Sequence, residues 1–328
     1  MNVSIIGIGS WGTALGIHLC KGGHEVTIYG RTEDKTEEIR DTRYHPFLPE
    51  IQIPTNIRIT LDLKEAANCP VLVMAVPSPY YRKVLSQVIE SSEGQKTIIN
   101  VAKGFEMDTG KRLSEITAEL APDWSYCILS GPTHAEEVAR ELPAAIVAAS
   151  QNLETARLVQ RIFNGETLRV YTSEDTLGVE VGGSYKNVVA IAAGIVDGLG
   201  FGDNAKAGLI TRGLHEMKIL GRRLGAQGET FNGLTGTGDL IVTCMSRHSR
   251  NRGFGERLGR GEKAEDILAS TAMVTEGVYA AKAFYQMNQR LGLDLPINKE
   301  VYRIIYEHKD PRESFKDLMN RQMKMERD

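Results

Sequence analysis

The chain has 328 residues, of which 41% are hydrophobic and 25% charged, with a formal net charge of −3. That length accommodates two domains with a substantial core, and the composition excludes a disordered chain. The near-neutral balance gives no basic field for nucleic acid, and the longest apolar stretch, Val188 to Val196, is too short to span a bilayer, so a cytoplasmic protein without a nucleic-acid partner is expected.

The chain opens with an apolar strand, Val3-Ser-Ile-Ile6. Gly7-Ile-Gly9-Ser-Trp-Gly12 follows, then an apolar stretch ending in Lys21-Gly22-Gly23. Strand, glycine turn and helix start in that order suit a dinucleotide pyrophosphate. Gly7 permits a sharp turn, Gly9 lets the backbone approach the phosphates, and Gly12 lets the helix pack on the strand. The helix start adds free N–H groups and the positive end of its dipole. Glu25-Val-Thr-Ile-Tyr29 then reads as the second strand of a βαβ unit. After it comes Gly30-Arg31-Thr32, where NAD-binding proteins usually place an acidic residue on the ribose 2′-hydroxyl. A guanidinium suits a 2′-phosphate, so NADP(H) is the expected cofactor; NAD(H) stays open if Glu33 or Asp34 takes the ribose.

Strand-like runs recur from Val71 to Val76, Thr97 to Val101, Tyr126 to Leu129, Ala144 to Ala148 and Leu168 to Tyr171, with helix-like stretches between them. This alternation predicts a doubly wound, mostly parallel α/β sheet. The segment carrying Pro46, Pro49 and Pro54 cannot be a continuous helix. After Tyr171 the pattern turns helical, beginning with Val179 to Leu199 and Ala205 to Leu224. The expected division is a dinucleotide-binding domain over 1–174 and a helical domain over 175–328. The first of these helices is apolar on nearly every side and should lie in the core. Cys20, Cys69, Cys127 and Cys244 are widely spaced without metal-ligand patterns, so buried, reduced thiols and no metal site are expected.

Ligands of open α/β sheets gather beyond the carboxyl ends of the strands. Pro77-Ser78-Pro79, Lys103-Gly104 and Ser130-Gly131-Pro132-Thr133-His134 stand at such ends, although polar, glycine-rich loops occur there without function. A sharper signal is Val181-Gly-Gly-Ser-Tyr-Lys186-Asn187. A lysine in so apolar a helix must snorkel, find partners or lose its proton, and desolvation would suit it to general acid/base work. Gly182 and Gly183 each forfeit about 1 kcal/mol of helix propensity, which makes sense if a backbone or ligand approaches. Further on, Asn232 to Asp239 reads as a flexible glycine loop delivering one carboxylate. The segment Ser246 to Arg252 reads as donors for a phosphomonoester or as a solvated basic turn.

The segments Gly7 to Ala14, Phe47 to Glu50, Ala102 to Gly104, Ser130 to Val138, Tyr185 to Val188, Ile191 to Leu214 (with Ala193 to Ala205 the most specific part), Gly238 to Leu240 and His248 to Asn251 together resemble the NAD(P)-dependent glycerol-3-phosphate dehydrogenase family of bacterial biosynthetic type. The resemblance runs nearly end to end. It implies a Rossmann-type domain followed by an all-helical domain like the C-terminal domain of 6-phosphogluconate dehydrogenase. It also implies reversible reduction of dihydroxyacetone phosphate to sn-glycerol 3-phosphate for glycerophospholipid synthesis, with hydride to C2 and Lys186 as proton donor and acceptor. Lys103, Gly131, Thr133, Asp239, Ser249, Arg250 and Asn251 fall on the family's substrate positions. Ser10, Trp11, Arg31, Lys103, Ala135, Arg250, Val274 and Glu276 fall on its cofactor positions, beside Gly7, Gly9 and Gly12. Thr133 replaces a common serine and keeps the hydroxyl, whereas Met273 stands where a more polar residue is expected. No metal is implied, and a homodimer is. Two other readings stay open: a related NADP-linked dehydrogenase acting on a hydroxy acid, and a redox sensor that binds NADPH without turnover.

Overall fold

The computed structural model describes residues 1–326 apart from 272 and 324. β1 (Asn2–Ile6), α1 (Ser10–Lys21) and β2 (Glu25–Tyr29) form the first βαβ unit; α2 (Glu33–Thr42), the strands β3 (Tyr44–His45) and β4 (Leu48–Gln52), and β5 (Arg58–Thr60) follow. The chain continues through α3 (Leu63–Ala67), β6 (Val71–Met74), α4 (Tyr81–Glu90), β7 (Thr97–Asn100), α5 (Leu113–Leu120) and β8 (Ser125–Ser130). It then forms α6 (Ala135–Ala139), β9 (Ala144–Ala149), α7 (Leu153–Phe163) and β10 (Leu168–Ser173).

The main sheet runs in the order β10-β9-β8-β7-β6-β1-β2-β5, parallel except for the antiparallel pair β8 and β9. Because side chains alternate along a strand, β1 sends Ile5 to one face and Ile6 to the other, and each face is buried under helices. The connection order reverses between β1 and β6, and a crevice opens there at the carboxyl ends of the strands. The proline-bearing segment is the antiparallel pair β3 and β4 rather than a helix. The three-residue strand β5 carries too short a pattern to be read from sequence.

The second half comprises α8 (Thr176–Leu199), α9 (Gly202–Leu224), α10 (Asp239–Met245), α11 (Arg250–Gly259), α12 (Ala264–Ala269), α13 (Glu276–Leu291), α14 (Pro296–Tyr306) and α15 (Pro311–Met319). Asp175 caps α8 by accepting the Gly178 N–H at 2.9 Å, and Gly200 ends it in the left-handed conformation at φ 71°. Between those caps the residues from Val179 to Val196 are all buried, which is the fate of a helix apolar on every side. α9, α10, α11 and α13 pack around it. A Cβ on Gly182 would lie 2.5 Å from the Thr235 carbonyl oxygen, so this position needs glycine to admit the neighbouring backbone.

α8 is also tied to the sheet. The Glu180 carboxylate accepts from Ser114 N at 2.9 Å, Ser114 Oγ at 2.7 Å, Tyr126 Oη at 3.0 Å and Arg112 Nη1 at 3.1 Å. This network, on the helix that carries Lys186, fixes that helix relative to the strand ends. No helix among the described residues is long and apolar enough to cross a membrane.

Candidate active site

The glycine turn after β1 has three different geometries. Gly7 turns the chain at φ 125°, and a Cβ there would lie 2.5 Å from the Ala75 carbonyl oxygen. Gly12 sits against the Gly7 carbonyl and Ile5, where a side chain would not fit. Gly9 faces open space, with nothing within 4 Å of where its Cβ would be. No side chain caps α1, so the first N–H groups of that helix remain for an anion.

Above this turn lies a cleft of about 460 Å³, walled on one side by the sheet and on the other by α8, α10, α11 and the start of α13. Ser10 and Trp11 line it beside the glycines, and Arg31 and Lys35 line its outer edge. Lys103, Thr133, Ala135 and Lys186 form its inner part. Ser249, Arg250, Asn251, Met273, Val274 and Glu276 close it from the helical side. Gly131 and Asp239 do not line the cleft; they lie behind Lys103 and hold it in place.

Lys186 has found partners rather than snorkelled. Its Nζ donates to Asp239 Oδ1 at 2.5 Å and to Thr243 Oγ1 at 2.9 Å. Lys103 Nζ donates to the other oxygen of the same carboxylate at 2.8 Å and to the Gly131 carbonyl at 2.9 Å. Asp239 is fully buried. Burial pushes the Lys186 pKa down to about 7, the Asp239 carboxylate opposes that, and the neighbouring Lys103 ammonium adds to it. A lysine poised there exchanges its proton near neutral pH. Two ammonium groups on one carboxylate, with Arg250 nearby, leave the cleft net positive and suited to an anionic ligand.

Three expectations need correction. Cys20 and Cys69 are half-buried, unlike the buried Cys127 and Cys244. The glycine segment before Asp239 is not a flexible loop but a wide helical turn, Leu234–Gly238, packed against α8 through Gly182, and Asp239 is the first residue of α10. The basic segment is part turn and part helix: Arg247 and His248 stand exposed in a turn, whereas Ser249 caps α11 by accepting the Arg252 N–H and Arg250 begins that helix. Arg250 Nη1 donates to the Val274 carbonyl at 3.0 Å. The Asn251 amide bridges inward, donating to Asn187 Oδ1 at 2.9 Å and accepting the Gly277 N–H at 2.8 Å.

Glu276 bridges the two sides of the cleft. Its carboxylate accepts Ser78 N at 2.9 Å and Ser78 Oγ at 2.5 Å, and burial raises its pKa while those two bonds oppose the rise. Family models describe both halves of the chain: the NAD-dependent glycerol-3-phosphate dehydrogenase N-terminus over residues 2–156 and C-terminus over 175–316. The chain belongs to this family.

Similarity to individual members is close. The protein named glycerol-3-phosphate dehydrogenase (NAD(P)+) in Thermoanaerobacter sp. (strain X514) is 46% identical over 327 residues, covering 99% of each chain. Its namesake in Geobacillus kaustophilus is also 46% identical, over 332 residues, covering 100% of this chain and 96% of its own. The crystal structure of glycerol-3-phosphate dehydrogenase from Coxiella burnetii superposes with a TM-score of 0.94 at 34% identity, covering 98% of this chain and 99% of that one. The family is thus matched in both sequence and fold.

Several residues of the cleft carried no role in the sequence reading. Thr243, the second partner of Lys186, lies one helical turn after Asp239, and that i, i+4 spacing was the available signal. Lys35, in the first turn of α2 four residues after Arg31, had no signal of its own. The bond between Ser78 and Glu276 joins residues 198 positions apart and leaves no local trace.

Proposed function

We propose that this chain reduces dihydroxyacetone phosphate reversibly to sn-glycerol 3-phosphate, using NADPH in preference to NADH, and so supplies glycerophospholipid synthesis in the cytoplasm. The observation that carries this reading is the buried Asp239 carboxylate holding both Lys186 and Lys103 at the floor of a cleft whose far end carries Arg250. Membership of the family, and the names of its members, supply the substrate.

The residues present fit the cofactor. The bare backbone at Gly9 and the uncapped start of α1 suit the pyrophosphate, while Arg31 and Lys35 at the outer edge suit a 2′-phosphate and would repel nothing there. Trp11, Ala135, Val274 and Glu276 line the path between that edge and Lys186. When bound, the reduced nicotinamide supplies hydride to C2 of the substrate. Lys186 gives its proton to the oxygen that becomes the C2 hydroxyl, and takes it back in the reverse direction. Lys103, held by Gly131 and Asp239, positions the substrate beside Lys186, with the Thr133 hydroxyl at hand. Arg250 and Ser249 hold the phosphate, so binding energy far from C2 fixes the carbonyl for attack. The expected domains, 1–174 and 175–328, share the work: the first carries the pyrophosphate turn but also Lys103 and Thr133 for the substrate, and the second carries Lys186 and the phosphate end but also Val274 and Glu276 on the cofactor path. A homodimer follows from the family resemblance.

The test is dihydroxyacetone phosphate-dependent oxidation of NADPH, with NADH and a 2-ketoacid in parallel. Turnover with dihydroxyacetone phosphate and not with the ketoacid supports the reading. Turnover of the ketoacid alone favours the hydroxy-acid dehydrogenase, and cofactor binding without any turnover favours a sensor.

A further inference from the structure

His134 follows Thr133 at the end of the loop after β8 and lines the same cleft as Lys186, Ser249 and Arg250. Its ring packs against that of His248, the residue before Ser249, with centroids 5.8 Å apart. Its Nε2 is buried and has no hydrogen-bond partner among the described residues. A buried polar atom left without a partner is costly, and native structures rarely leave one unless something else completes it. Burial and then the Lys186 ammonium lower the pKa of this imidazole, so near neutral pH the ring is uncharged and one nitrogen carries a proton.

We infer that His134 is a further substrate-binding residue, whose Nε2–H donates to the phosphate group of the substrate. The inference rests on the substrate reading above and adds a contact at the phosphate end, where His248 leads directly into Ser249 and Arg250. A phosphate dianion only accepts hydrogen bonds, so the Nε2–H tautomer satisfies both groups at once. Because Nε2 is covered in this structure, the ring turns about its Cβ–Cγ bond as the phosphate enters, staying against His248.

His134→Phe keeps the ring and its contact with His248 and removes the nitrogen; His134→Gln places an amide N–H near the position of Nε2. His134→Leu serves as a second nitrogen-free variant, and thermal melting checks that each is folded. With NADPH saturating, His134→Phe and His134→Leu are expected to raise KM for dihydroxyacetone phosphate by about tenfold, the scale of a hydrogen bond to a charged group. The competitive Ki of inorganic phosphate should rise in parallel, while the Kd of NADPH and the values for His134→Gln stay close to wild type. An unchanged KM in the folded nitrogen-free variants overturns the inference, as does an equal loss in His134→Gln. If the wild type does not turn over dihydroxyacetone phosphate, the substrate reading fails as well, which separates the two outcomes.

Discussion

Lys186 Nζ and Asp239 Oδ1 lie 2.5 Å apart in the buried floor of the cleft, and this one contact joins the central helix α8 to the start of α10. An unpaired ammonium among the apolar residues of α8 would cost several kcal/mol, so the carboxylate is what permits a lysine at this depth. The pairing does not lock the proton in place. Burial still holds the Lys186 pKa down to about 7, well below an ordinary lysine, which keeps both protonation states accessible near neutral pH.

The glycine before that lysine carries a prediction. Gly182→Ala would drive a Cβ into the Thr235 carbonyl and displace the Leu234–Gly238 turn that sets Asp239. Overpacking of this kind costs about 1–3 kcal/mol, read as a lower urea midpoint. Because the turn leads straight into Asp239, kcat should fall as well, while the Kd of NADPH, bound mainly by the other domain, should change little.

Arg112→Met tests the tie between α8 and the sheet. The Glu180 carboxylate is 2% exposed and pairs with the Arg112 guanidinium beside its bonds with Ser114 and Tyr126. Removing the guanidinium leaves a buried charge and should cost about 3 kcal/mol at neutral pH by denaturant titration. Burial already raises the Glu180 pKa, with Arg112 the largest opposing influence, so the variant raises it further. A carboxyl whose folded pKa lies above its unfolded value is stabilising when protonated and loses that stability as pH rises through the folded pKa. The deficit of Arg112→Met should therefore be larger near pH 8 and shrink as pH falls toward the unfolded carboxyl pKa of about 4.3.

Arg31→Asp addresses the cofactor. Arg31 is exposed at the outer edge of the cleft with Lys35 beside it. A carboxylate there repels a 2′-phosphate and accepts from a ribose hydroxyl, so KM for NADPH should rise by about tenfold or more while KM for NADH falls or holds. An unchanged preference would move the selection of cofactor to another residue.

What was legible in the sequence was local. The glycine spacing from Gly7 to Gly12, the strand runs and the lysine in an apolar helix are features of short segments, and each occupies the cleft or its framework. The depth of Asp239 was not legible, because it depends on α8 closing over the Leu234–Gly238 turn, and in isolation Gly236-Thr-Gly238 looks like a loop. The same holds for Asn251, whose amide is turned to Asn187 and Gly277 by packing between helices. Glu180 with Arg112, and Glu276 with Ser78, are pairs made by tertiary approach across 68 and 198 positions, and no spacing within either segment announces them.

The most direct test of Lys186 as the proton donor is kcat for the reduction of dihydroxyacetone phosphate across roughly pH 5 to 9, in the wild type and in Lys186→Ala. Reduction needs the protonated lysine, so wild-type kcat should fall as pH rises through about 7, and oxidation of sn-glycerol 3-phosphate should show the mirror-image rise. Lys186→Ala should lose about 100-fold or more in kcat and lose this pH dependence, with NADPH binding retained. A Lys186→Ala enzyme that keeps the wild-type kcat and its fall near neutral pH would contradict the account.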